Sequence, residues 1–168
     1  IADGGSYIFA DTTANSSLAF TDVVFTIVNS GAGILNLEGV PKVNISGINM
    51  DQFLIQSQPT SPVAPSDNTT FTVRFQPTSG GSKNAVITIE NNDPNKDPYN
   101  FSISGNGQEA EIDVLDGAVS ISNGGTFSFD DTVLNEIRDI ELTINNAGPG
   151  NLILSGTTTV AVSGSDLD

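Results

Sequence analysis

The sequence predicts an all-β protein. Apolar and polar residues alternate along most of the chain, and clusters of Gly, Pro, Asn and Asp separate the alternating segments. No window of eleven or more residues has a convincing helical period, and one phrase of sequence occurs twice. These observations predict tandem immunoglobulin-like β-sandwiches, of which the second is incomplete.

The alternation marks short strands that turn one face to a core and the other to water. Within 70–75, for example, apolar residues alternate with Thr and Arg. The predicted strands cover 25–28, 34–37, 43–46, 53–56, 70–75, 85–90 and 99–104. Their inward positions are predicted to form the core, and these are Phe25, Ile27, Leu35, Leu37, Phe53, Phe71, Val73, Phe75, Ile87, Ile89, Phe101 and Ile103.

A glycine-rich phrase, NSGAGILNLEG at 29–39, is interpreted as a turn. A phosphate-binding loop needs glycines that lead into a helix N-terminus. Here Gly33 leads into a predicted strand, and no Lys follows within it. The other predicted turns lie at 79–81, at 91–98, and at 59–68, which three prolines stiffen.

The same phrase returns as NAGPGNLILSG at 146–156, an offset of 117 residues. The opening segment 1–13 matches 121–133 at an offset of 120 residues. Two copies of one unit are therefore present, and the second copy has lost three residues between the two matches.

The repeat divides the chain into a first unit, residues 1–109, and the N-terminal part of a second unit, residues 110–168. The match ends with Asp51 against Asp168, so the second copy has no counterpart of 52–109 within the chain.

The second unit also contains a strand-like lead-in, EIDVLDGAV at 111–119. Its counterpart is expected before Ile1, so the first unit is expected to lack its first strand. The chain is expected to be a window from a longer tandem array.

Composition excludes several classes of function. Twenty acidic residues against five basic ones give a net charge of −15, which repels phosphate backbones and anionic lipid. Neither nucleic acid nor an anionic membrane surface is therefore an expected partner. No apolar run approaches the roughly eighteen residues of a membrane helix, so membrane insertion is not expected either. Cys and His are absent from the sequence, which removes thiolate metal sites, Cys nucleophiles and the commonest general base. We expect no enzyme.

Beyond the alternation, the chain resembles a known family. The stretches that carry the resemblance are FTIVNSGAGILNL, ISG, DQFLI and FTVRFQPTSGGSKNAVITIENNDPNKDPYNFSISGNG. They are similar to bacterial choice-of-anchor D repeats, which belong with the ASPM/Hydin-type (ASH) immunoglobulin-like domains. The resemblance implies large secreted or surface-anchored proteins in which tandem repeats act as spacers, stalks or adhesive modules. It implies no catalytic residues.

One loop is a candidate calcium site. Asp93, Asn95 and Asp97 place oxygen ligands at the first, third and fifth positions of a calcium loop. Position six is Pro98 rather than Gly, position twelve is Ser104 rather than Glu, and a Lys lies within the loop. The alternative is a set of Asx-turns without metal. Apart from calcium, no cofactor is expected.

The sequence thus predicts a non-catalytic structural or adhesive module of a bacterial extracellular or cell-surface repeat protein. The expected partners are neighbouring immunoglobulin-like repeats or identical subunits. Two alternatives stay open: a module that binds surface carbohydrate or protein, and a strand-exchanging subunit of an extracellular filament. Strand exchange is considered because a sandwich that lacks a strand leaves an open edge.

Overall fold

The computed structural model describes residues 1–164, and it is all-β with one short 3₁₀ turn at Met50–Gln52. The chain divides into two compact units, Ile1–Glu109 and a second unit that begins at Ala110. Within the described residues no helix has the length and apolar character needed to cross a membrane.

The first unit contains eight strands in two sheets. The strands are β1 (Gly5–Ile8), β2 (Thr12–Thr13), β3 (Thr21–Val28), β4 (Asn44–Ser46), β5 (Phe53–Ser57), β6 (Asn68–Phe75), β7 (Gly81–Ile89) and β8 (Tyr99–Gln108). One sheet has the order β1-β8-β7-β4, with β2 also paired to β8. The other sheet has the order β3-β6-β5. Strands β1 and β2 run parallel to β8, whereas the remaining pairs are antiparallel.

The core lies between these two sheets. Phe25 of one sheet packs against Phe101 of the other, with ring centroids 5.5 Å apart, and stacks on Phe71 at 5.3 Å. Ten of the twelve predicted core residues are buried. The other two, Ile27 and Leu35, are half-buried. The core also contains four residues that the inward stripe did not include: Phe9, Val43, Ile45 and Ala85.

Three features differ from the predicted elements. Residues 34–37 form no strand, because Leu35 bridges only Val63 and Leu37 bridges only Asn91. The N-terminal segment forms β1 and β2, which the alternation did not predict because each is too short for a period to show. Strand β3 begins at Thr21, four residues earlier than predicted.

The second unit is a three-stranded antiparallel sheet rather than a sandwich. Its strands are β9 (Ile112–Asp116), β10 (Val119–Ile121) and β11 (Leu142–Asn146), in the order β10-β9-β11. Residues 125–128, the counterpart of β1, form no strand. In the first unit β1 pairs with β8, and the second copy has no counterpart of β8 within the chain.

Candidate functional site

A groove of about 930 Å³ lies beside β3 in the first unit, and we call it the β3 groove. Its apolar wall comes from both sheets, with Tyr7 on β1, Phe25 and Ile27 on β3, and Phe101 on β8. Tyr7 packs edge-to-face on Phe25 with ring centroids 5.1 Å apart. The groove therefore opens directly onto the hydrophobic core.

Core residues beside this groove are incompletely covered. Six apolar side chains pack on the core while staying half-buried, and five of them line the β3 groove: Tyr7, Val23, Ile27, Leu35 and Tyr99. This explains why Ile27 and Leu35 fall short of the burial predicted for them. The sandwich is well closed away from the groove, where Val73 and Phe75 are fully buried.

Strand β3 forms one border of the groove and has an open edge. It pairs with β6 along its whole length, from Thr21 opposite Phe75 to Val28 opposite Asn68. Just beyond β3, the Asn29 N–H donates to the Asp67 carbonyl, which lies on the β6 side. Because backbone groups alternate in direction along an antiparallel strand, Thr26 and Val28 direct their N–H and C=O groups away from β6. No strand among the described residues of the first unit pairs with that edge.

The outer face of β3 is apolar at two positions. Val24 is 62% exposed and Val28 is 61% exposed. An exposed edge with apolar side chains is a template for pairing with another strand.

The loop at 91–98 forms the polar end of the groove, and its side chains bond to its own backbone. The Asp93 carboxylate accepts the Asn95 N–H at 3.0 Å, and the Asp97 carboxylate accepts the Asn91 N–H at 2.9 Å. Asn91 is buried and donates to the Ile89 and Lys96 carbonyls at 3.1 and 2.9 Å.

These bonds define what the three predicted calcium ligands do in the structure. Asp93 and Asp97 each use one carboxylate oxygen on the loop backbone; the Asp93 bond is an Asx-turn, whereas the Asp97 bond closes the loop back onto Asn91. Among residues 1–164 no group of three or more Asp, Glu, His or Cys side chains is arranged to hold a metal ion. Asn95 lies outside that set of residue types, and calcium at Asp93, Asn95 and Asp97 stays a prediction.

Tyr99 anchors the N-terminus at the same end. Its hydroxyl donates to the Ile1 carbonyl, and Ile1 lines the groove. Partial burial raises the pKa of the Tyr99 phenol, and the negative charge of Asp3 raises it further. The phenol is therefore the proton donor in this contact at neutral pH.

The glycine-rich phrase adopts the same hydrogen-bonded turn in both copies. Asn29 donates to the Gly33 carbonyl at 2.8 Å and accepts the Gly31 N–H at 3.0 Å. In the second copy, Asn146 donates to the Gly150 carbonyl at 2.7 Å and accepts the Gly148 N–H at 3.1 Å. The sequence prediction recognised the glycines as a turn, but not that an Asn side chain holds it.

The proline-rich loop at 59–68 packs down on the sandwich. Val63 is buried and exchanges two backbone hydrogen bonds with Leu35, at 3.0 and 2.8 Å. Ser61 accepts the Leu37 N–H at 2.9 Å. This loop therefore substitutes for a strand partner along 35–37.

The groove itself was not predicted from the sequence. Its walls come from residues that the alternation assigned to the core. No sequence motif distinguishes core residues that line the groove from core residues that are fully covered. The repeat did contain a signal, because the lead-in at 111–119 has no counterpart within residues 1–109.

No protein-family model and no curated protein matches this chain. Several solved structures do match it. A Porphyromonas gingivalis W83 protein of unknown function has TM-score 0.49 and 18% identity, over 61% of this chain and 44% of that chain. The ASH/PapD-like domain 7 of human CEP192 has TM-score 0.46 and 15% identity, over 64% of this chain and 84% of that chain. The VesB protease of Vibrio cholerae has TM-score 0.48 and 11% identity, over 61% of this chain and 30% of that chain.

The chain thus spans less than half of the P. gingivalis protein and less than a third of VesB. At these identities the matches concern the fold only, and one of them is an ASH/PapD-like domain.

Proposed function

We propose that this chain is a non-catalytic structural or adhesive module of a bacterial extracellular or cell-surface repeat protein, of the ASH or choice-of-anchor D type. In this role it serves as a stalk, spacer or fibre segment. The observation that carries the proposal is the repeated Asn turn, whose two side-chain bonds recur at Asn29 and Asn146. Structural units that are repeated within one chain are typical of extended arrays, which space or present other domains.

Two further properties support a spacer. The first unit has its own core of fourteen buried apolar residues, as a module that folds within an array requires. The net charge of −15 keeps a surface hydrated and disfavours compaction of neighbouring segments onto one another.

Labelling of intact cells tests the location. Antibodies raised against the chain are applied to source cells before and after lysis, with a cytoplasmic protein as the control for leakage. We expect labelling of intact cells, reduced by mild external proteolysis. Labelling that appears only after lysis would refute the extracellular role.

A carbohydrate- or protein-binding module is the second candidate. Both tyrosines of the chain, Tyr7 and Tyr99, line the β3 groove, and aromatic rings are the usual platform for a sugar face. A glycan array with the full chain tests this function. Binding that is lost in Tyr7→Ala but kept in Phe20→Ala, an exposed aromatic outside the groove lining, would favour it over the spacer role.

A further inference from the structure

The second unit provides the partner that the open edge of β3 lacks. At the offset of 117, Phe25, Ile27 and Asn29 correspond to Leu142, Ile144 and Asn146, so β11 is the counterpart of β3. Strand β9 pairs antiparallel with β11, from Leu142 opposite Asp116 to Asn146 opposite Ile112.

The pairing uses the edge that corresponds to the open edge of β3. Just beyond β11, the Ala147 N–H donates to the Glu111 carbonyl at 2.7 Å. Because backbone groups alternate in direction along a strand, the N–H and C=O groups of Thr143 and Asn145 also point toward β9. Their counterparts are Thr26 and Val28, the residues whose backbone groups are directed away from β6. The edge of β11 that pairs with β9 therefore corresponds to the open edge of β3.

We propose that the open edge of β3 binds the segment Glu111–Asp116 of a second copy of this chain. In the register copied from β9 and β11, Val114 lies opposite Ile27 and Ile112 lies opposite Asn29. Directly opposite residues share one face of a sheet, so Ile112 and Val114 enter the β3 groove. Leu115 lies opposite Thr26 and faces outward.

The exchange conserves backbone pairing and gains burial. Strand β9 loses its ladder with β11 and forms an equivalent one with β3. Ile112 is 54% exposed in the second unit and becomes enclosed in the groove. The incoming strand also covers Ile27 and Tyr7, which are half-buried core residues at the border of the groove.

Polar groups at the end of the groove match the start of the incoming strand. In the second unit the Glu111 N–H donates to the Asn146 side-chain oxygen at 3.1 Å. Asn29 presents the same oxygen, held in the same turn.

The segment must come from another copy, because its own chain is too short to place it there. Thr12 contacts Thr21 at 2.9 Å between hydroxyl oxygens, and β2 pairs with the end of β8, so Gln108 lies at the Thr21 end of β3. Ile112 would have to lie beside Asn29, about 26 Å farther along the strand. The four residues from Gln108 to Ile112 span at most about 14 Å.

A contact between the second unit of one copy and the first unit of the next is heterologous. Two associated copies still have one unused Glu111–Asp116 segment and one unused β3 edge between them. Association is therefore open-ended rather than limited to a dimer. This inference takes its biological meaning from the proposed module function, but its chemistry is independent of it. Failure of exchange would leave the cell-surface location untouched, and labelling only after lysis would leave exchange untouched.

Disulfide trapping tests the register directly, because the chain contains no Cys. Thr26 and Leu115 face each other in the proposed contact, at the Cα separation of about 5.5 Å that a disulfide accepts. The double variant Thr26→Cys/Leu115→Cys is expected to oxidise into a ladder of covalent oligomers. The matched control, Thr26→Cys/Val114→Cys, places its two thiols on opposite faces of the sheet and is expected to give no ladder above background. Equal ladders, or none, would overturn the proposal.

Sedimentation velocity on the full chain gives the second readout, from low micromolar to near-millimolar concentration at moderate salt. We expect weight-average size to rise with concentration. Val114→Lys is expected to weaken association about tenfold, because it places a charge in an apolar groove. Leu115→Lys, equally half-buried in the second unit, is expected to change association by less than about threefold. A chain that stays monomeric throughout, or equal effects of the two variants, would refute exchange at β3.

Discussion

The two copies of the repeated unit form different numbers of the unit's strands. Both form the Asn turn with the same pair of side-chain bonds. The first copy is a sandwich with a filled core, whereas the second is a three-stranded sheet whose β11 is exposed along its whole length. The turn, which is held by the side chain of its Asn, thus forms without a hydrophobic core beneath it. Strands that depend on pairing partners do not form where those partners are absent.

Each copy also shows what the other lacks. The first unit has β6 and β8, the strands that cover β3 and β1, but nothing on the open edge of β3. The second unit has β9 on that edge, but no counterparts of β6 and β8 within the chain. The comparison indicates that a complete unit combines both sets of strands.

The largest difference between the units is expected in core truncation. Phe75 is fully buried and stacks on Phe53 at a centroid distance of 4.9 Å. Phe75→Ala is expected to lower the free energy of unfolding of the first unit by about 3–5 kcal/mol, because it removes a buried ring and leaves a cavity. Phe129→Ala in the second unit, where the ring is 64% exposed, is expected to cost less than about 0.5 kcal/mol. Urea titrations followed by circular dichroism check both, and equal costs would contradict the contrast between the units.

A smaller difference is expected at the shared turn. Asn29 is buried, and it donates to the Val63 carbonyl at 3.0 Å as well as making the two turn bonds. Asn29→Ala is expected to cost about 1–3 kcal/mol, because buried partners lose their hydrogen bonds.

Asn146 is exposed, so water replaces its bonds when they are lost. Asn146→Ala is therefore expected to cost less than about 1 kcal/mol and to speed amide exchange at Gly148. Measurements in which Asn146→Ala proved the more costly variant would show that the turn depends on its own bonds rather than on burial.

The smallest expected effect concerns a charge pair present in the first unit. Arg74 on β6 donates two hydrogen bonds of 2.8 Å to Asp22 on β3 and lies over the Phe20 ring. The hydrogen bonds from Arg74 lower the pKa of the Asp22 carboxyl. A lowered pKa in the folded state means that the unfolded chain takes up the proton first. The pair therefore stabilises the fold above the ordinary carboxyl pKa of about 3.9, and this contribution is lost as pH falls through the folded value.

Asp22→Asn is accordingly expected to lower the melting temperature slightly at neutral pH and to flatten its fall below about pH 4. Asp139, the counterpart of Asp22 at the offset of 117, has no counterpart of Arg74 in the second copy. Asp139→Asn is expected to leave both the melting temperature and its pH dependence unchanged. A melting profile that moved equally in both variants would assign the effect to net charge instead of the pair.

Much of the fold follows from local sequence pattern, and particular residues show where that pattern stops. Phe71, Val73 and Phe75 alternate with polar residues, and the period alone placed them in the core. Phe9 is equally buried, but it follows a four-residue strand that pairs with β8, far along the chain, so no local period indicated it.

The candidate site depends on long-range assembly in the same way. Tyr7, Ile27 and Tyr99 come from three separate strands, and their shared border is set by which edge of β3 lacks a partner. The sequence repeat offers a lead-in strand, EIDVLDGAV at 111–119, that has no counterpart within the first unit, and a missing first strand there stays a prediction. It could not specify the edge, since the direction of backbone groups along β3 follows from its register with β6.

The central claim is that β3 has a free edge which a second copy fills. Amide hydrogen exchange resolved by residue, recorded on the full chain at low and at high concentration, tests it most directly. At low concentration we expect slow exchange at Phe25 and Ile27, which face β6, and fast exchange at Thr26 and Val28. At high concentration Thr26 and Val28 are expected to become protected, while Leu54 on the outer face of β5 is unchanged. Fast exchange at Thr26 and Val28 under conditions where the copies have associated would contradict the claim.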